Sequence, residues 1–101
     1  MSELHGYLEA LARVRAVLNR YAGAPASLPA SLELRAEVRA VAHAAVAHHV
    51  GLEALVADLG CVVAEALPHD PPAAVAVAHA LARWAGREHF DAVRPEPAAV
   101  A

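Results

Sequence analysis

One stretch of the chain decides its fold: residues 32–67 read LELRAEVRAVAHAAVAHHVGLEALVADLGCVVAEAL. Residues at alternating spacings of three and four form one stripe along it, apolar except for one histidine: Leu34, Val38, Val41, Ala45, His48, Leu52, Leu55, Leu59 and Val62. This spacing places the side chains on one face of a helix, where they can pack against another helix. The stretch therefore predicts an all-α protein.

The length of this helix depends on two glycines. The stripe keeps its phase through Gly51 and Gly60, so the pattern favours one helix from Ser31, its N-cap, to Leu67. Such a helix has about 36 residues and is about 54 Å long. Glycine inside a helix costs about 1 kcal/mol relative to alanine, and Gly51 is the expected position of a bend. A break at Gly51, which gives four shorter helices, is the alternative.

The remaining segments predict one helix on either side of this stretch. Apolar residues at the same spacing indicate a first helix over residues 3–22, and residues 23–29 interrupt the pattern with glycine and proline. Asp70 followed by Pro71 is typical of a helix start. The helix that begins there continues to about Val93. We therefore predict a helical bundle of three helices with a long central one, with a four-helix bundle as the alternative.

The domain organisation is simple. A chain of 101 residues is long enough for one domain with a modest core. We assign residues 1–94 to a single helical domain. Residues 95–101 contain two prolines around a glutamate and are expected to form a flexible C-terminal tail.

Charge and hydropathy exclude several classes of partner. The chain carries a net charge of −3 and no lysine, whereas nucleic-acid-binding domains present a basic surface. Histidines and acidic residues interrupt its most apolar stretch, which therefore lacks the roughly 20 continuous apolar residues of a membrane span. Cys61 is the single cysteine and cannot form an internal disulfide. We expect a cytoplasmic protein that binds neither nucleic acid nor membranes.

A homodimer is the expected assembly. The mean hydropathy of +0.38 is high for a lone small domain, and a second line of small residues runs beside the apolar stripe. If both faces of the central helix are covered, one chain does not supply enough helices, and a second copy completes the packing. The predicted interface consists of Val41, Ala44, Ala45, His48, Leu52 and Leu55.

His48 stands where an aliphatic residue is expected. A buried imidazole needs a hydrogen-bond partner, and the favoured interpretation is a structural histidine with one such bond. The alternative is a histidine whose protonation near pH 6 opposes assembly and makes the dimer sensitive to pH.

The sequence favours a binding function over catalysis. No nucleophile motif or phosphate-binding loop is present, and we interpret the chain as a small helical interaction or accessory module that acts as a homodimer. The alternative is a protein that binds a transition metal such as zinc or iron through histidines, although the sequence contains no His-x-x-x-His or Glu-x-x-His pair. Its candidate ligands are His43, His48, His49, Glu53 and His79. A small-molecule binder with an apolar cavity between helices is a further alternative.

Overall fold

The computed structural model describes residues 5–93, all of whose regular elements are helical. They are α1 (His5–Arg20), a 3₁₀ helix (Pro25–Ala30), α2 (Leu32–Ala47), α3 (Leu52–Ala66) and α4 (Pro71–Val93). The prediction of an all-α protein is confirmed. Residues 1–4 and the predicted tail, 95–101, lie outside the described residues.

The prediction of one long central helix is wrong, because the chain turns between α2 and α3. His48 is the C-cap of α2, and His49 has a left-handed backbone with φ of 59°. The Val50 N–H donates to the Ala45 carbonyl at 2.7 Å, and the His49 N–H donates to the Val46 carbonyl at 3.2 Å. These two bonds form a Schellman motif, which ends a helix by reversing the handedness of one residue.

Two polar side chains begin helices as the sequence predicts. The Leu34 N–H donates to Ser31 Oγ at 3.1 Å at the start of α2. The Ala73 N–H donates to Asp70 Oδ1 at 3.2 Å at the start of α4. These bonds satisfy N–H groups that have no partner within the helix. Both predicted N-caps are confirmed.

The helices pack around a single hydrophobic core. α4 lies against α2 and α3, and α1 packs against the same two helices, whereas α2 and α3 contact each other only slightly. The 3₁₀ helix closes one end of the core by burying Leu28 against α4. The most fully buried large side chains come from every element: Val14, Val17, Leu18, Leu28, Leu34, Val38, Val41, Leu55, Leu59, Val63, Val77 and Leu81. Within residues 5–93, none of the helices has both the length and the apolar character that crossing a lipid bilayer requires.

Candidate protein-binding surface

The predicted interface residues divide between the core and the surface. Val41, Ala45 and Leu55 are completely buried among helices of the same chain. Ala44 and His48 are half-buried, and only Leu52, with 39% of its surface exposed, projects into solvent. The stripe on α2 and α3 is therefore covered by α1 and α4. The expectation that the stripe needs a second polypeptide is therefore wrong. Val41, Ala45 and Leu55 are core residues of one chain and cannot belong to an exposed interface.

The candidate metal ligands are not brought together. His43 approaches Glu88 across the α2–α4 contact, with 3.7 Å between Nε2 and Oε1. His48 and His49 lie in the Schellman turn, and His79 is exposed on α4. Over residues 5–93, no group of three or more histidine, cysteine, aspartate or glutamate side chains could hold a metal ion.

Glu53, the fifth candidate ligand, has a different position. It lies in the first turn of α3, where a carboxylate interacts favourably with the positive end of the helix dipole. No arrangement in the described part of the chain gives this carboxylate a role in a metal centre.

Two depressions on the surface can be compared with the apolar cavity that a small-molecule binder would need. One depression of about 580 Å³ lies beside the α2–α3 turn and the end of α4, lined by Val46, His49, Val50, Gly51, His89, Ala92 and Val93. The imidazole of His89 lies at its edge, with Nε2 3.3 Å from the Val50 carbonyl oxygen. Both this depression and a neighbouring one of about 570 Å³ at Leu52 and Val56 are open surface features. Neither is the enclosed cavity between helices that this alternative predicts.

Tyr7 forms a hydrogen bond between two helices, and its pKa is shifted. Its hydroxyl donates to Asp58 Oδ2 at 2.7 Å and thereby joins α1 to α3. Burial raises the pKa of Tyr7 well above its usual value of 10, and the hydrogen bond to Asp58 and the negative charge of that carboxylate add to the effect. The pair connects two helices across the core.

The largest group of exposed apolar side chains lies on α4. Its inner face buries Val77, Ala80, Leu81, Trp84 and Ala85. On the opposite face, Val75, Phe90 and Val93 have 57%, 60% and 55% of their surfaces exposed. Together with the residues between them they form a line at helical spacing, which we name the outer stripe: Val75, His79, Ala82, Gly86, Phe90 and Val93.

The middle of the outer stripe is recessed. Ala82 and Gly86 are one helical turn apart, and both are half-exposed. A Cβ atom added to Gly86 would meet no other atom within 4 Å. Small residues at this spacing allow the backbone of another helix to approach closely. Ala82 and Gly86 therefore leave a shallow depression in the stripe between His79 and Phe90, which we name the groove.

Two exposed arginines flank the outer stripe. Arg83 and Arg87 each follow a residue of the stripe by one position in α4, which places them beside it on the helix surface, and both are exposed. Two arginines of α2 contact other residues of α4. The guanidinium of Arg35 stacks over the buried Trp84 ring, 5.6 Å from its centroid, and Arg39 Nε is 3.7 Å from Glu88 Oε1.

Comparisons with known proteins add no family to this description. The chain matches no family model, and neither the curated proteins nor the solved structures contain a significant match to it.

The outer stripe is a candidate surface that the sequence does not predict. The spacing of Val77, Leu81 and Trp84 predicts the buried face of α4, and the structure confirms that all three are in the core. The second stripe was visible at the same spacing from Val75 to Val93. Its central positions are alanine and glycine, so it lacks the run of large apolar side chains that draws attention to a helix face.

Proposed function

We propose that this protein is a helical interaction module, without catalysis of its own, that binds a partner through the outer stripe of α4. One observation carries the proposal. Of the large apolar side chains exposed among residues 5–93, Val75, Phe90 and Val93 share one line on one helix, whereas the others are distributed over separate elements. A helix that presents an apolar line with a recessed middle is suited to receive another helix.

The proposal is tested with two substitutions that place a charge on equally exposed apolar positions. Phe90→Glu alters the outer stripe, and Leu8→Glu alters α1, where Leu8 has 53% of its surface exposed. Neither side chain belongs to the core, so both variants should unfold at nearly the wild-type temperature. Tagged copies are expressed in the cell of origin, and the mass of the intact complex is measured by native mass spectrometry.

We expect wild type and Leu8→Glu to retain the partner and Phe90→Glu to lose it. Retention by Phe90→Glu at the wild-type level would contradict the proposal, as would equal loss by both variants.

Self-association is the second form that this function can take, and the symmetry of the outer stripe favours it. In an antiparallel pair of α4 helices centred between Ala82 and Gly86, Val75 lies opposite Val93 and Ala82 lies opposite Gly86. Such an isologous contact is the usual basis of a homodimer. The same measurement of mass identifies it, since a dimer has twice the 10.5 kDa of the chain.

A further inference from the structure

We infer that the partner of the outer stripe is an acidic amphipathic helix; this inference rests on the proposed function and adds the chemistry of the bound partner. It follows from the combination of an apolar groove with arginines that the fold does not neutralise.

The arginines of α1 differ in this respect from those of α4. Arg13, Arg15 and Arg20 on α1 each pair with a glutamate of α2 or α3. The ion pairs formed within residues 5–93 include neither Arg83 nor Arg87. Both guanidinium groups are exposed at the border of the outer stripe and are available to carboxylates of a partner.

The acidic residues of this part of α4 do not balance Arg83 and Arg87. Glu88 is approached by Arg39 and His43 of α2, and Asp91 is the other acidic residue there. The two exposed arginines therefore exceed the one acidic residue that remains, although the whole chain has a net charge of −3. Complementary charge at the rim of an apolar contact selects the partner and its orientation.

The dimensions of the surface favour a helix as the bound element. Residues 75–93 of α4 extend over about 27 Å at 1.5 Å per residue, which is matched by a partner helix of about 18 residues. An apolar stripe on that helix fits the groove at Ala82 and Gly86, and glutamates beside the stripe reach Arg83 and Arg87.

Charge also distinguishes this partner from a second copy. In the antiparallel pair described above, each flank of the outer stripe faces the same flank of the other copy. Arg83 and Arg87 then meet their own counterparts, and like charges at an interface oppose association. A lipid surface is a poorer fit for another reason, because membrane-bound helices insert large side chains, whereas the middle of this stripe is recessed at Gly86.

The test uses three fluorescently labelled 18-residue helical peptides with the same leucine stripe. Their flanking positions carry glutamate, glutamine or lysine. Binding to the whole protein is measured by fluorescence anisotropy at low and high salt. We expect the glutamate peptide to bind about tenfold more tightly than the glutamine peptide, with the difference reduced by salt. The lysine peptide should bind most weakly.

Substitutions in the protein test which residues cause the preference for the glutamate peptide. Arg83→Gln combined with Arg87→Gln should abolish the preference for glutamate, whereas Arg15→Gln, an exposed arginine of α1, should preserve it. Gly86→Leu should weaken binding of all the peptides by filling the groove. Its folding is checked by thermal unfolding, since the new side chain extends into open space.

The outcomes separate this inference from the function on which it rests. Equal binding of the glutamate and glutamine peptides, lost in Gly86→Leu, would overturn the acidic partner and leave the binding surface in place. Absence of peptide binding by a protein that neither dimerises nor sediments with vesicles, or binding unaffected by Gly86→Leu, would overturn both. Dimerisation that Gly86→Leu abolishes, or sedimentation with phosphatidylserine vesicles in the absence of peptide binding, would replace the acidic helix with a second copy or a lipid surface.

Discussion

Tyr7 shows how the fold changes the chemistry of a single side chain. Its ring is buried in the core, and its hydroxyl donates to the half-buried carboxylate of Asp58. Hydrogen bonds to a charged acceptor are stronger than those between neutral groups. The bond also connects residues that are 51 positions apart in the chain. No local sequence pattern around either residue reveals it.

Removing this hydroxyl should destabilise the fold. We expect Tyr7→Phe to lower the free energy of unfolding by about 1–2 kcal/mol, because Asp58 loses its donor while the ring still fills its site. Tyr21→Phe is the matched control, since Tyr21 is exposed and its hydroxyl is 3.5 Å from Glu33 Oε1. It should change the free energy by less than about 0.5 kcal/mol. Urea titrations followed by circular dichroism measure both, and equal effects would contradict this role for Tyr7.

The raised pKa of Tyr7 predicts a loss of stability in alkaline solution. A group whose pKa is higher in the folded than in the unfolded state stabilises the fold below its unfolded pKa, here about 10, and this contribution is lost as the pH rises toward the folded pKa. Wild type should therefore lose part of its advantage over Tyr7→Phe between about pH 8 and about pH 11. Urea titrations at these two values measure the difference. A constant difference would show that the pKa of Tyr7 is unchanged on folding.

His49 occupies a backbone conformation that favours glycine. Its φ of 59° lies in the left-handed region, where a Cβ atom is sterically disfavoured. We expect His49→Gly to raise the free energy of unfolding by about 0.5–1 kcal/mol, whereas His43→Gly in the body of α2 should lower it by about 1 kcal/mol. Thermal or urea unfolding of both variants provides the comparison. A loss of stability in His49→Gly would show that the imidazole contributes more than its backbone strain costs.

At the scale of the helices, the sequence predicts starts and buried faces better than it predicts the turn. Ser31 and Asp70 act through short side chains that bond their own helix, so their role is local and visible in the sequence. The turn after Ala47 is not marked by glycine at the left-handed position. His49 occupies the left-handed position instead, and the apolar periodicity continues in phase across the turn. Periodicity reports which face is apolar, but it does not distinguish a continuous helix from two that share a core.

The site was less predictable than the fold for a similar reason. An apolar residue at helical spacing can face the interior of its own chain or a partner protein, and the sequence alone does not distinguish these two cases. Val41 and Leu55 proved to be core residues, while Phe90 and Val93 proved to be exposed. Which apolar face remains open depends on how the helices are arranged, and that arrangement follows from the turn at His49.

Two helical glycines are positions where an added Cβ atom should stabilise the fold. Gly60 in α3 and Gly86 in α4 both have open space at the position of a Cβ atom. We expect Gly60→Ala and Gly86→Ala each to raise the free energy of unfolding by about 0.5–1 kcal/mol. Gly6→Ala should gain less, because its Cβ would lie 3.2 Å from Nε2 of His48. Urea titrations of the three variants check this order, and destabilisation by Gly86→Ala would mean that the groove is filled within the chain.

For the whole molecule, the turn between α2 and α3 explains why the core closes within one chain. A straight helix over residues 32–67 would present a long apolar edge to solvent. The turn divides this edge into two shorter ones, and α1 and α4 cover both. α4 is the longest helix among the described residues, with 23 residues, and its opposite face keeps the apolar side chains of the outer stripe exposed.

The distribution of charge over the molecule follows the same division. Ion pairs join α1 to α2 and α3 at exposed positions, where solvent weakens them. On α4, the exposed Arg83 and Arg87 belong to none of the ion pairs formed within residues 5–93. Although the net charge of the chain is −3, the side chains that flank the outer stripe therefore include two arginines unpaired within residues 5–93.

Position-specific photo-crosslinking in the cell of origin tests the binding surface most directly. A photoreactive phenylalanine analogue replaces one exposed residue on each α-helix in turn: Ala12 on α1, Ala36 on α2, Ala64 on α3 and His79 on α4. We expect a discrete adduct from position 79 that disappears when Phe90→Glu is introduced, and weak or no adduct from the other three positions. An adduct concentrated at position 12, 36 or 64, and unaffected by Phe90→Glu, would contradict the proposed binding surface.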